Sequence, residues 1–159
     1  MRAEELPLWE RTLIASYRWR QVRPVPRARL RQPVAACRVA IVTTAGLVPP
    51  GVPPFDLGRL GGDATFRVIP ADADLTRLDL QHRSQAFDRG AALRDPNVAF
   101  PLDRLRDLVA AGEAGEVAPR HLTFMGSITA PARLRKEHAP AAADVLVADA
   151  VDVALLAPV

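Results

Sequence analysis

The chain has 159 residues, 49% hydrophobic and 25% charged, the size and balance of one globular domain with its own core, which excludes a wholly disordered chain. Its 15 prolines and 9 glycines are too few and too irregular for collagen, and the single cysteine, Cys37, excludes an internal disulfide framework and a cysteine-built zinc site. The net charge of +3 is unevenly placed, because residues 1–31 hold eight arginines against three glutamates and the rest of the chain holds 13 basic and 15 acidic side chains, so the basicity belongs to an arm.

At the amino end Leu6, Trp9, Leu13 and Tyr17 fall near helical spacing, which predicts a short amphipathic helix within 6–20. Glu4, Glu5 and Glu10 stand where a signal peptide needs a basic start and an apolar stretch, so the expected location is the cytoplasm. Arg18, Arg20, Arg23, Arg27, Arg29 and Arg31 follow with no acid among them. Such a run reads either as a phosphate-binding tail or as a segment packed along a partner surface. Interleaving with Trp9, Tyr17, Trp19, Leu30 and prolines favours the second, so nucleic acid is not the expected partner. Pro24, Pro26 and Pro33 keep 22–33 extended.

Residues 38–45 form a short β-branched apolar run stopped by Gly46, the pattern of a strand buried on both faces. The longest uncharged stretch, Val39 to Phe55, is broken by Pro49, Pro50, Pro53 and Pro54 and cannot span a membrane. Residues 48–62 carry too much proline and glycine for regular structure, and a loop that long after a buried strand often carries function. Further strands are expected at 64–69, 78–82, 121–125 and 151–156, the last also buried. Helices are expected at 101–111, with Leu102, Leu105, Leu108 and Val109 on one face and Gly112 as the stop, and at 140–148. Alternating strands and helices predict an α/β fold: a mostly parallel sheet built from βαβ units, flanked by helices, with 34–159 as the domain and 1–33 as an extended basic arm. Ligands in open α/β sheets sit beyond the carboxyl ends of the strands. The final apolar segment, ending at Val159, stops where a catalytic loop would begin, and the domain is expected to be incomplete there; the alternative is a sheet-closing last strand.

Several blocks resemble one known family. They are Tyr17-Arg18-Trp19, the run Val39 to Gly46, Phe55-Asp56-Leu57, Gly62-Asp63, Phe66-Arg67, Ile69-Pro70, His82-Arg83-Ser84, Phe87-Asp88, the run Asp95 to Leu105, Ala118-Pro119-Arg120-His121 and Phe124-Met125-Gly126. In order and spacing they resemble the selenoprotein B family of glycine, sarcosine, betaine and D-proline reductases. The resemblance implies reductive cleavage of a carbon–nitrogen bond in a small amine or amino-acid-like substrate, with electrons delivered from thiols. It implies a selenocysteine directly after Val159, read at an in-frame UGA, so that no catalytic residue lies in the 159 residues and this form is inactive. It also implies other subunits of a reductase complex, one carrying a pyruvoyl group; separately, an arm that packs along a partner surface leads to the expectation of a homo-oligomer. The rival reading is a non-enzymatic α/β binding or scaffold domain that uses its basic arm to hold a partner.

Such chemistry calls for a carboxylate-binding cation, a proton donor and hydrogen-bond donors near the reacting atom. Arg120 and His121, beside an expected strand, are candidates, since arginine can grip a carboxylate with two parallel hydrogen bonds; the other reading pairs Arg120 with a structural carboxylate such as Asp103. Thr43, Thr44 and Gly46 lie at the carboxyl end of the first strand and suit an anionic substrate. His82 is either a site residue or a structural histidine. Asp95 and Asn97 suit a turn and helix cap, Asp103 and Asp107 a solvent face, and Cys37 a small core thiol. His82, His121 and His138 lack any paired ligand spacing, so no metal site is expected.

Overall fold

The structure is a computed structural model that describes residues 7–16, 24–25, 28–84 and 87–159. Tyr17, Arg18, Trp19, Arg20, Arg23 and Arg27 of the arm lie outside the described residues. Its first helix, α1, spans Leu8–Ser16, with Leu8 and Trp9 exposed.

The sheet is organised around β1 (Arg38–Thr43), whose Val39, Ala40, Ile41 and Thr43 are buried. On one side β1 pairs in parallel with β5 (Glu116–Val117) and β6 (Arg120–Phe124), and on the other in parallel with β7 (Val153–Ala157). β3 (Phe66–Pro70) continues the sheet beyond β6 in antiparallel register. The sheet is therefore mixed, which departs from the mostly parallel arrangement expected from strand–helix alternation. Two short strands, β2 (Leu47–Val48) and β4 (Asp79–Leu80), make a separate antiparallel pair.

Alternation along β1 and β6 sends side chains to two different cores. Val39, Ile41 and Ile69 pack with Phe100, Leu102 and Leu105, so α2 (Arg89–Arg94) and α3 (Leu102–Ala110) cover one face. Leu122 and Phe124 pack with Val42, Phe66, Val68 and Ala142, Val145 and Leu146 of α4 (Ala139–Ala148), which covers the other. α3 ends as its sequence demands, with Gly112 at φ +73° and its N–H donating to the Val109 carbonyl. Asn97 accepts the Asp103 N–H and Asp95 accepts the Asn97 N–H, the turn and cap expected of those residues. A π-type turn at Leu134–His138 runs directly into α4, where Pro140 lacks the N–H that a regular ladder would use.

β7 is not the doubly buried strand its apolar run predicts. Leu155 and Leu156 are 43% and 68% exposed. β7 pairs only with β1, and among the described residues nothing adds a further strand to its outer side.

β5 and β6 follow one another along the same side of β1 with a break between them. Arg38 and Val39 face Glu116 and Val117, whereas Val42 and Thr43 face Leu122 and Thr123. Ala40 and Ile41 thus face the four residues 118–121, an insertion of two that interrupts the ladder as an enlarged bulge. The Ile41 N–H loses its ladder partner there and donates instead to His121 Nδ1 at 2.9 Å.

Candidate functional site

Four of the sequence candidates meet at the carboxyl edge of the sheet, where β1 and β7 end. Thr44 Oγ1 accepts the Val159 N–H at 2.9 Å and faces the Val159 carbonyl at 3.2 Å, so the two strand ends lie at one edge. The chain leaves β1 through a turn that Thr43 holds: its buried hydroxyl donates to the Ala99 carbonyl at 2.7 Å and accepts the Ala45 N–H. Gly46 follows at φ +69°, and a Cβ there would lie 3.1 Å from the main chain of Gln81 and His82. Only glycine combines that backbone conformation with so close an approach. The Gly46 N–H donates to the Phe124 carbonyl at 2.8 Å, which fastens the turn across the end of β6.

His82 is buried beside this turn. Its Nδ1 accepts the Ser84 N–H at 3.0 Å, its ring lies 4.6 Å from that of Phe87, and its carbonyl accepts from Arg89 at 3.0 Å. Burial first of all holds the ring below the ordinary histidine pKa; the main chain of Ser84 acts against that, the Arg89 charge reinforces it, and the main chain of Val159, close to the ring, acts against it. With Nδ1 accepting, the neutral ring carries its proton on Nε2, and Nε2 has no hydrogen-bond partner among the described residues.

The other two candidates do not join this edge. Arg120 begins β6, at the opposite end of the sheet, and both its Nε and Nη2 donate to Asp149 at 2.8 and 2.7 Å. That bidentate pairing raises the guanidinium pKa and holds the Asp149 carboxyl below its usual range. The structural carboxylate facing Arg120 is Asp149; Asp103 pairs with Arg106. His121 is wholly buried within the sheet, closing the bulge toward Ile41, with its ring edge-on to Phe100 at 5.6 Å. Burial pushes its pKa down to about 4.

Cys37 is buried ahead of β1, its Sγ 3.3 Å from the Pro33 carbonyl. Asp107 pairs with Arg104 on the exposed face of α3. No group of His, Cys, Asp and Glu able to hold a metal ion occurs among the described residues. Residues 48–62 are irregular past β2, as their composition predicts, and Arg67 ties them down. It donates to the Pro53 and Pro54 carbonyls, lies 4.2 Å over the Phe55 ring and faces Asp63 at 3.7 Å. Burial alone would raise the Asp63 pKa; hydrogen bonds from Asp56 and Thr65, with the Arg67 charge, outweigh it and hold the carboxyl low.

The site residue that sequence reasoning passed over is Gly126, at φ +72° just past β6. A Cβ there would stand 2.7 Å from His82 Nε2 and 2.8 Å from the Thr44 carbonyl oxygen. The available signal was a glycine two residues beyond the end of a buried strand, Phe124-Met125-Gly126.

Comparison with known proteins bears on this arrangement. The D-proline reductase subunit gamma of Acetoanaerobium sticklandii is 35% identical over 118 residues, covering 74% of this chain and 47% of that protein. The sarcosine reductase complex component B subunit beta of Peptoclostridium acidaminophilum is 32% identical over 98 residues, 58% of this chain and 21% of that one. The chain thus spans about half the length of the first and about a fifth of the second. No solved structure matches. The family model for glycine/sarcosine/betaine reductase selenoprotein B matches residues 8–158, and the chain belongs to that family.

Proposed function

We propose that the chain is the amino-terminal part of the selenoprotein subunit of a reductase complex. The complex cleaves a carbon–nitrogen bond in a small amine or amino-acid-like substrate, with electrons from thiols. The family match over 8–158 carries this reading, and the two relatives, each named as a subunit of a reductase, agree with it. The reading places a selenocysteine after Val159 and a pyruvoyl group on another subunit.

The residues at the carboxyl edge fit such a selenocysteine on two observations: the buried donor His82 Nε2 has no partner among the described residues, and Gly126 brings no side chain against it. When present, selenocysteine supplies a nucleophile ionised at neutral pH. The chain's own residues provide the frame. Thr43 and Gly46 set the turn, Thr44 fixes the direction in which the main chain leaves β7, and His82 keeps a donor free. Arg120, already gripped by Asp149, and His121, enclosed in the sheet, act as structural groups in this reading. We place the complex in the cytoplasm, with 1–33 as an arm that packs on a partner chain and the subunit itself assembling as a homo-oligomer; among the described residues no helix is long and apolar enough to cross a membrane.

The test is reconstitution. The chain carried past Val159 with selenocysteine and combined with a pyruvoyl-bearing subunit is expected to show dithiol-dependent reduction, a cysteine replacement to retain little of it, and the 159-residue form to show none. Reductive turnover by the 159 residues alone contradicts the proposal.

A further inference from the structure

Two buried histidines leave Nε2 without a partner, and they face different surroundings. The His121 ring is shut inside the sheet against Phe100. His82 is 95% buried by its 5% exposure, and its Nε2 is aimed past Gly126 toward the end of β7, where Thr44 holds Val159. A buried donor left unpaired is costly, and folded proteins rarely keep one without a use. Here three further contacts fix the donor's direction: the Ser84 N–H on Nδ1, the Phe87 ring alongside, and Arg89 on the His82 carbonyl. Any residue but glycine at 126 would put a Cβ 2.7 Å from Nε2 and cover it.

We propose that His82 is a positioning residue whose Nε2–H donates a hydrogen bond to the anionic side chain that follows Val159. This rests on the function proposed above, in which that side chain is selenocysteine. The donor stabilises the charged form of the nucleophile and sets the direction from which it reaches substrate. Arg89 is the charged side chain whose field acts on the ring, and it favours the same neutral, donating form.

Cysteine in place of the selenocysteine gives a readout that needs no turnover. In the chain carried past Val159, the pH dependence of iodoacetamide alkylation at that cysteine is followed by mass spectrometry, with buried Cys37 as a slow internal reference. The expected alkylation midpoint lies about one pH unit below the ~8.5 of a free thiol. His82→Asn keeps an acceptor for the Ser84 N–H and loses the donor, so it is expected to raise the midpoint by about one unit and to slow alkylation at neutral pH about tenfold. His82→Gln, which places an N–H donor at similar reach, is expected to restore most of the shift. Should His82→Asn fail to fold, His82→Phe fills the ring space without a donor and gives the same rise. Thermal melts of each variant report packing separately, and a purely structural His82 changes the melts while leaving the midpoint alone. A midpoint unmoved in a folded His82→Asn or His82→Phe chain overturns this inference and leaves the function standing. A coding frame with no UGA and open continuation after the Val159 codon overturns both.

Discussion

Closing a gap in the main-chain ladder with a histidine makes this sheet sensitive to acid. Unfolded, His121 titrates near 6.5; folded, burial and the Arg106 charge push it down to about 4. Between those values the unfolded chain holds the extra proton, so the stabilisation is complete above pH 6.5 and is lost as the pH falls from there toward 4. The shift corresponds to on the order of 3 kcal/mol. His82, depressed in the same direction, adds to the effect. Urea unfolding at pH 7 and pH 4.5 checks this: the loss on acidification is expected to shrink in His121→Gln, whose amide oxygen can still accept the Ile41 N–H, and parallel losses in both proteins contradict it. At this scale the sequence was informative where strand direction alone decides, which is how Thr44 and Val159 come to one edge; His82 reaches that edge because the main chain of Gln81 and His82 packs on Gly46, which strand direction does not show. Proximity to a strand did not say to which edge or face Arg120 and His121 belong. These neighbours point to opposite faces of β6, and Arg120 stands at its amino end, a fact that needs the pairing with β1 to be known.

Single elements divide the same way. β1 and α3 were legible because burial on both faces and a clean apolar stripe each leave a periodic signature, whereas the break between β5 and β6 leaves none: two inserted residues are visible only against the partner strand. α2 is six residues long and contains Gly90, too short and too weak in propensity to announce itself, and it is held by the Asp88 side chain on the Ala91 N–H. The Arg120–Asp149 pair joins the start of β6 to the end of α4. Arg120→Ala is therefore expected to lower the melting temperature by a few degrees while leaving any preference between carboxylate and other substrates unchanged; selective loss of carboxylate substrates in a chain that melts normally contradicts this. In the loop after β2, Arg67→Ala removes the donor to the Pro53 and Pro54 carbonyls and uncovers Asp63. Faster hydrogen exchange confined to 53–63 is the expected result, and protection unchanged there contradicts it.

Among the described residues the outer side of β7 is an uncovered apolar edge, with Leu155 and Leu156 43% and 68% exposed. An edge strand of that character pairs readily with another chain. The 159-residue form is expected to self-associate through it, and Leu156→Lys to shift the population toward monomer in light scattering; an unchanged mass distribution contradicts this. The apolar run of β7 signalled burial, but the sequence of this strand does not say what buries it, so the expectation of a doubly covered strand did not hold for the described chain. At its carboxyl end β7 brings Val159 to Thr44, and in the proposed function this edge, with His82 beside it, receives the nucleophile of a longer reductase subunit. The most direct measurement is tryptic mass spectrometry of the protein from its native cells. Cleavage after Lys136 releases a peptide beginning at Glu137. This peptide is expected to run through Val159 into an alkylated selenocysteine with the isotope pattern of selenium, and a peptide ending in the free carboxylate of Val159 would overturn the proposed function.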